Sequence, residues 1–198
     1  MKILLSKESY MSGLSRFIAV AAIAASSATL AGAQGVLSAT KPFSLGISGG
    51  ASIPTGDLSD GVNTGYNLGG HVALGVAALP ISFRGDVNYD SFGAKGSDNG
   101  DAHVWSYTVN AVYDIPTMTG VSPYLIGGVG GFKPGYSNSV GGTTYSASTD
   151  TNFGFDLGAG LTIPLSGFNA FVEARYNHFN TDGDGSASFV PITFGVMF

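Results

Sequence analysis

From Phe43 onward, apolar and polar residues alternate one by one in segment after segment. A period of two belongs to a β-strand with two unlike faces, because successive side chains point to opposite sides of a sheet. The final segment is the clearest. Val190, Ile192, Phe194, Val196 and Phe198 share one face and Thr193 and Gly195 the other, with Phe189, Pro191 and Met197 as imperfections. Soluble chain ends are usually polar and frayed. A strand running to an aromatic residue is therefore expected to close something.

Six earlier segments carry the same pattern, and a seventh is ambiguous. Phe43, Leu45, Ile47, Ala51 and Ile53 oppose Ser44, Gly46, Ser48, Gly50 and Ser52. Tyr66, Leu68, Val72, Leu74 and Val76 oppose Asn67, Gly69, His71, Ala73 and Gly75. Ile81, Phe83, Val87 and Tyr89 oppose Ser82, Arg84, Asp86, Asn88 and Asp90. Trp105, Tyr107, Val109, Ala111 and Tyr113 oppose Ser106, Thr108, Asn110 and Asp114. Phe153, Phe155, Leu157, Ala159, Leu161 and Ile163 oppose Asn152, Gly154, Asp156, Gly158, Gly160 and Thr162. Ala170, Val172, Ala174 and Tyr176 oppose Asn169, Glu173, Arg175 and Asn177. The glycine-rich stretch from Pro123 to Lys133 reads equally well on either face.

The connections alternate as well. Pro54 to Gly65, Ser91 to Ala102, Pro134 to Thr151 and Asn180 to Ala187 are long and polar. Ala78-Leu79-Pro80, Ile115 to Ser122 and Pro164 to Gly167 are shorter. Long and short connections on opposite ends describe an up-and-down meander of eight strands. Long loops without structure are uncommon in compact soluble domains.

Two barrels fit such a meander. One turns its apolar face inward around a ligand; the other turns it outward into lipid. The polar face decides between them. It carries Arg84, Asp86, Asp90, Asp114, Asp156, Glu173 and Arg175 among Ser, Asn, Thr and many glycines. Glycine weakens an exposed strand and packs nothing. Inside a narrow barrel, small residues make room for a few large charged ones. Charged residues are only 11% of the chain, against about 25% in an average soluble protein. The aromatics Tyr66, Tyr89, Trp105, Tyr107, Tyr113, Tyr124, Phe153 and Tyr176 fall near strand ends, as in a lipid-facing band.

The first 33 residues read as a secretory signal: Lys2, Lys7 and Arg16 precede the apolar run from Phe17 to Leu30, and Ala31-Gly32-Ala33 is a cleavage site. The run is shorter than the about 20 residues of a spanning helix. Mature Gln34 would begin a short periplasmic lead, 34–42, before a barrel over 43–198; Met11 is an alternative start. The full chain has 8 Lys+Arg and 13 Asp+Glu; the signal holds Lys2, Lys7, Arg16 and Glu8, leaving 5 against 12 and a net charge of -7. That balance argues against nucleic acid as a partner. With no cysteine, neither a disulfide framework nor a thiolate metal site is available.

Pro123-Tyr124 opening a glycine-rich strand, Glu173-Ala174-Arg175-Tyr176 in the penultimate strand, and the terminal Phe198 complete the pattern. Together with the signal peptide, they make the chain resemble the small eight-stranded outer-membrane proteins of the OmpA, OmpX and opacity type, over Phe43 to Phe198. The fold class expected is all-β: an eight-stranded antiparallel up-and-down transmembrane barrel in the outer membrane of a diderm bacterium. The resemblance implies that Phe198 is an assembly signal read by the barrel assembly machinery. Outer-membrane lipids and lipopolysaccharide are the other expected partners of a monomer with no cofactor, both termini in the periplasm and four long loops outside. Its expected role is structural and interfacial, in envelope integrity and surface contacts.

Several groups are candidates for more. Arg84, Asp86, Asp156, Glu173 and Arg175 would face one another in the lumen, where charges must pair to be tolerated. Such a network either plugs the barrel or gates a narrow pore, and eight strands leave an interior just filled by side chains. Asn180-Thr181-Asp182-Gly183-Asp184-Gly185 resembles half a calcium loop, but its twelfth position is Pro191 rather than Glu, so an acidic turn is expected. A weaker idea is that Asp57, Asp60, Asp98, Asp101, Asp182 and Asp184 recruit divalent ions at the lipopolysaccharide surface. A lipid-modifying enzyme would need a Ser- or His-based site near the outer rim. Asp90-Ser91 with His103, and His178 with Ser186 and Ser188, flank loops there but form no motif, so no enzyme is expected. His71 is expected to be a polar lumen residue.

Overall fold

The computed structural model describes residues 43–76, 79–96, 100–118, 120–140, 143–181 and 185–198. The signal segment, the 34–42 lead, Asp98, and Asp182, Gly183 and Asp184 of the acidic turn lie outside the described residues. In chain order the elements are β1 (Ser44–Thr55), α1 (Leu58–Gly61), β2 (Gly65–Gly75), β3 (Ile81–Gly93), β4 (Gly100–Asp114), β5 (Ser122–Val140), β6 (Thr143–Ser148), β7 (Asn152–Pro164), β8 (Asn169–Asn180) and β9 (Ser186–Met197).

Every pairing is antiparallel and nearly all join neighbours in sequence. Two pairings do not: β5 pairs with β7 past β6, and β9 closes the ring on β1 from Gly46↔Met197 to Thr55↔Ser188. Phe198 extends that seam, donating its N–H to Leu45 O at 2.7 Å and accepting from Leu45 N at 3.2 Å. The result is a closed eight-stranded up-and-down barrel, with β6 outside the ring. Closure pairs the strand edges with one another, which is the condition for a sheet to cross lipid.

The faces sort by parity. Ile47, Val109 and Phe194 point outward and are 64%, 65% and 63% exposed, whereas Asp86 and Asn110 point inward at 2% and 1%. An apolar outside over a polar inside inverts the soluble arrangement and suits a lipid solvent. Interior glycines sit beneath the large inward side chains. Gly158 is the register partner of Arg175, Gly160 of Tyr124 and Gly195 of Phe171. A Cβ on Gly158 would lie 3.0 Å from Arg175 Cγ, so this glycine is required by close approach.

Two sequence expectations need correction. Pro134 to Thr151 is not a loop throughout: β5 runs on to Val140 and β6 returns beside it, from Val140↔Thr143 to Gly135↔Ser148. Tyr124 does not belong to the lipid-facing band. It is buried in the lumen, because the β5 ladder turns Tyr124, Ile126 and Phe132 inward and Leu125 and Val129 outward. The same ladder settles the face of the Pro123–Lys133 stretch.

The long connections meet at one end of the barrel. Val62, just after α1, bridges to Ala94; Asn63 N bonds Gly93 O at 2.8 Å and Lys95 N bonds Gly61 O at 2.9 Å. These bonds tie the first and second long connections together over the mouth. At the other end the turns are tight; Leu165 N bonds Phe168 O at 2.9 Å around Gly167, whose φ of +95° favours glycine.

Candidate functional site: the filled lumen

β3 and β8 stand four staves apart around the ring, diametrically opposed. Each carries an acid and an arginine two residues apart, so both side chains of each pair point inward. Arg84 precedes Asp86 on β3, and Glu173 precedes Arg175 on β8. Arg84 crosses the lumen to Glu173, its Nη2 lying 2.9 and 2.8 Å from Oε1 and Oε2. Arg175 crosses the other way, with Nη1 2.9 Å from Asp86 Oδ2. Each arginine also bonds the acid on its own strand: Arg84 Nε lies 3.0 Å from Asp86 Oδ1, and Arg175 Nε lies 3.0 Å from Glu173 Oε1, with Nη2 on the same oxygen.

Further polar groups complete the layer. Asp86 also accepts from Asn110 Nδ2 at 2.9 Å and from His71 Nδ1 at 2.8 Å. Because a carboxylate only accepts, this contact places a proton on His71 Nδ1. His71 Nε2 lies 2.7 Å from Ser48 Oγ. Tyr124 donates its hydroxyl to Glu173 Oε2 at 2.8 Å, and the Arg84 guanidinium lies 5.8 Å from the Phe171 ring centre. Asp156 is held differently. Its nearest cation is Arg175 Nη1 at 3.6 Å, and neither carboxylate oxygen has a hydrogen-bond partner among the described residues.

Above this layer, toward the long connections, lies a chamber of about 20 Å³ bounded by Asn67, Asp90, Asn177 and Thr193. That is room for about one water. Ser52 bonds Asp90, and Asn67 Nδ2 bonds Ser52 Oγ at 3.1 Å. The mouth is sealed by Phe92, Phe132, Phe179 and Phe189, all fully buried, with Val62 and Val104. Phe132 and Phe179 stack at 5.0 Å, and Phe92 meets Phe189 edge-on at 5.5 Å. Below the network, a cavity of about 160 Å³ opens toward the short turns between Val112, Tyr124, Phe171 and Met197.

The aromatic seal was missed by sequence reading. Its signal was present: Phe92, Phe179 and Phe189 break the polar parity at the long-connection ends of their strands. Phe189 is one of the apparent imperfections of the last strand.

The rim candidates do not assemble a nucleophilic site. Asp90 points inward, while His103 lies outside against the Tyr89 ring at 5.8 Å. Ser188 does meet His178 Nδ1 at 2.8 Å and accepts from Tyr176 OH at 2.9 Å. These three sit on directly paired strands, where His178↔Ser188 is a register pair. Among the described residues no carboxylate bonds the other His178 nitrogen. A Ser–His contact lacking an orienter does not make a catalytic constellation. No group of three or more His, Asp or Glu residues able to hold a metal occurs among the described residues.

The outer membrane protein beta-barrel domain matches residues 17–198. The chain belongs to that family. It is an outer-membrane barrel of the Gram-negative type. Among solved structures it is similar to Neisserial surface protein A, at 17% identity and a TM-score of 0.62, covering 79% of this chain and 96% of that one. It also resembles Ail, the attachment invasion locus protein of Yersinia pestis, at 23% identity and a TM-score of 0.47, with coverages of 79% and 97%. The outer membrane enzyme PagL matches at 19% identity and a TM-score of 0.47, with coverages of 78% and 98%. At such identities the likeness is one of fold alone. No curated protein matches the sequence.

Proposed function

We propose that this protein is a non-conducting membrane anchor that presents its long connections at the cell surface, with an envelope-integrity and surface-interaction role. The observation that carries this reading is the double filling of the lumen: a cross-braced ionic layer under a buried aromatic seal. A pore needs a continuous wet path, and here two barriers stand in series. The network of Arg84, Asp86, Asp156, Glu173 and Arg175 then acts as an internal brace rather than a gate.

Planar bilayer recordings test this. Purified protein that runs as a folded, heat-modifiable band is expected to give silent bilayers. Reproducible conductance steps from the same folded material would replace the anchor with a narrow pore.

Signal cleavage after Ala33 yields a mature chain from Gln34. Phe198 serves as the recognition residue for the barrel assembly machinery, and the barrel resides as a monomer among outer-membrane lipids and lipopolysaccharide. Phe198 is 55% exposed and packs only at its edge, 5.9 Å from the Phe168 ring, so its removal leaves the interior intact. Phe198→Ala is therefore expected to lower the amount of barrel in the outer membrane while leaving refolding in detergent near wild type. Equal losses in both would make Phe198 a stability residue instead.

A further inference from the structure

The lipid-facing surface has a hollow where a smooth apolar wall would be expected. It measures about 350 Å³ and is lined by Leu68, Gly69, Gly70, Val87, Tyr89 and Trp105. Gly70 makes it: its outward face meets nothing within 4 Å. Glycine within a strand weakens it and commonly marks the close approach of a ligand.

The hollow ends at an aromatic shelf toward the long connections. Tyr89 lies 5.0 Å from Trp105 and 6.4 Å from Tyr66, ring centre to ring centre. Leu68, Tyr89, Trp105 and Lys133 are successive register partners, so they form one row across β2, β3, β4 and β5. Lys133 has no hydrogen-bond or ion-pair partner among the described residues. It is also the one lysine or arginine on the barrel wall outside the lumen among those residues: Arg84 and Arg175 are internal, and Lys95 lies in a connection, bonded to Ser59 O. Aromatic girdles sit at the headgroup level of the membrane. The row thus sets a lone cation at the depth of lipid phosphates, beside a hollow reaching toward the acyl region.

We propose that this hollow is a site for one phosphorylated glycolipid of the outer leaflet, the lipid A portion of lipopolysaccharide. An acyl chain fills the space over Gly70, and a phosphate pairs with Lys133. The choice of leaflet rests on the reading that the long connections face outward.

The test uses the full chain, extracted from outer membranes in mild detergent, with bound lipid measured by mass spectrometry. Wild-type barrel is expected to retain lipid A in near-equimolar amount. Gly70→Leu fills the hollow from a position with open space and abolishes retention; Val87→Phe, filling it from the opposite wall, does the same should the first variant not fold. Lys133→Ala weakens retention about fivefold, the worth of one surface cation against an anionic lipid. Ala159→Leu, which fills a separate lipid-facing hollow near Leu125 and Leu161, leaves it unchanged. Undiminished retention in the folded filling variants, equal loss in Ala159→Leu, retention of phospholipid instead, or a crosslinked dimer through Gly70 would overturn the site. Labelling of Lys95 on intact cells by an impermeant amine reagent tests orientation separately. A labelled Lys95 with no retained lipid A overturns the site alone; an unlabelled Lys95 overturns the orientation and the choice of lipid A with it.

Discussion

Asp86 gathers more partner residues than the other carboxylates of the lumen among the described residues, because four groups from four strands converge on it. His71, Arg84, Asn110 and Arg175 all bond it. Removing it leaves two buried guanidinium groups sharing Glu173 as their one hydrogen-bonded acid, and breaking a buried pair in this way costs about 3–5 kcal/mol. Asp86→Ala is thus expected to destabilise the barrel by about that much in urea unfolding from lipid vesicles. Asp156→Asn is the contrast: Asp156 makes no hydrogen bond among the described residues, so the loss is expected to be well below that of Asp86→Ala. Similar losses for both would mean that Asp86 is not the hub. At this scale the sequence marked which residues face inward but not their unequal weight. Asp86 and Asp156 look alike in the alternation, and only the partners that the folded ring brings to each separate them.

Strands are where the alternation was most legible. β3, β4, β7 and β8 place their outward and inward residues as the period of two requires, because one face must meet lipid and the other the lumen. β5 was not legible, for a physical reason. Its run Leu125-Ile126 and its paired glycines put similar residues on both faces, and a face is then chosen only by the neighbouring ladders. Tyr124 went astray for the same cause: an aromatic ring suits the girdle and the lumen equally until its hydroxyl finds Glu173. The β5–β6 hairpin was read as a loop because its Ser, Thr and Gly content lacks an apolar face, and rising beyond the barrel it needs none. Two expectations belong to this scale. Deleting residues 139–148 is expected to leave a heat-modifiable barrel, since among the described residues β6 pairs only with β5, and Ser139 and Val140 pair only with β6; loss of the folded band would make the hairpin part of the barrel. Val109→Arg, on the lipid face in the middle of β4, is expected to cost about 2–4 kcal/mol in the same vesicle unfolding assay.

For the whole molecule, the decisive event is closure of β9 on β1. Closure determines that β3 and β8 oppose each other, and so that Arg84 meets Glu173 and Arg175 meets Asp86. It also gathers four phenylalanines from β3, β5, β8 and β9 into one seal. The sequence by itself determined the eight barrel strands, the lipid-facing side of all but β5, and the membrane address, because each follows from a local period of two and from which residue types tolerate lipid. The tertiary structure alone decided which charges pair across the lumen, that Tyr124 points inward, and that the mouth is shut. Those contacts join residues far apart in the chain: each cross-lumen arginine–acid pair is separated by 89 positions. A local alternation carries no information about which strands the ring will set face to face.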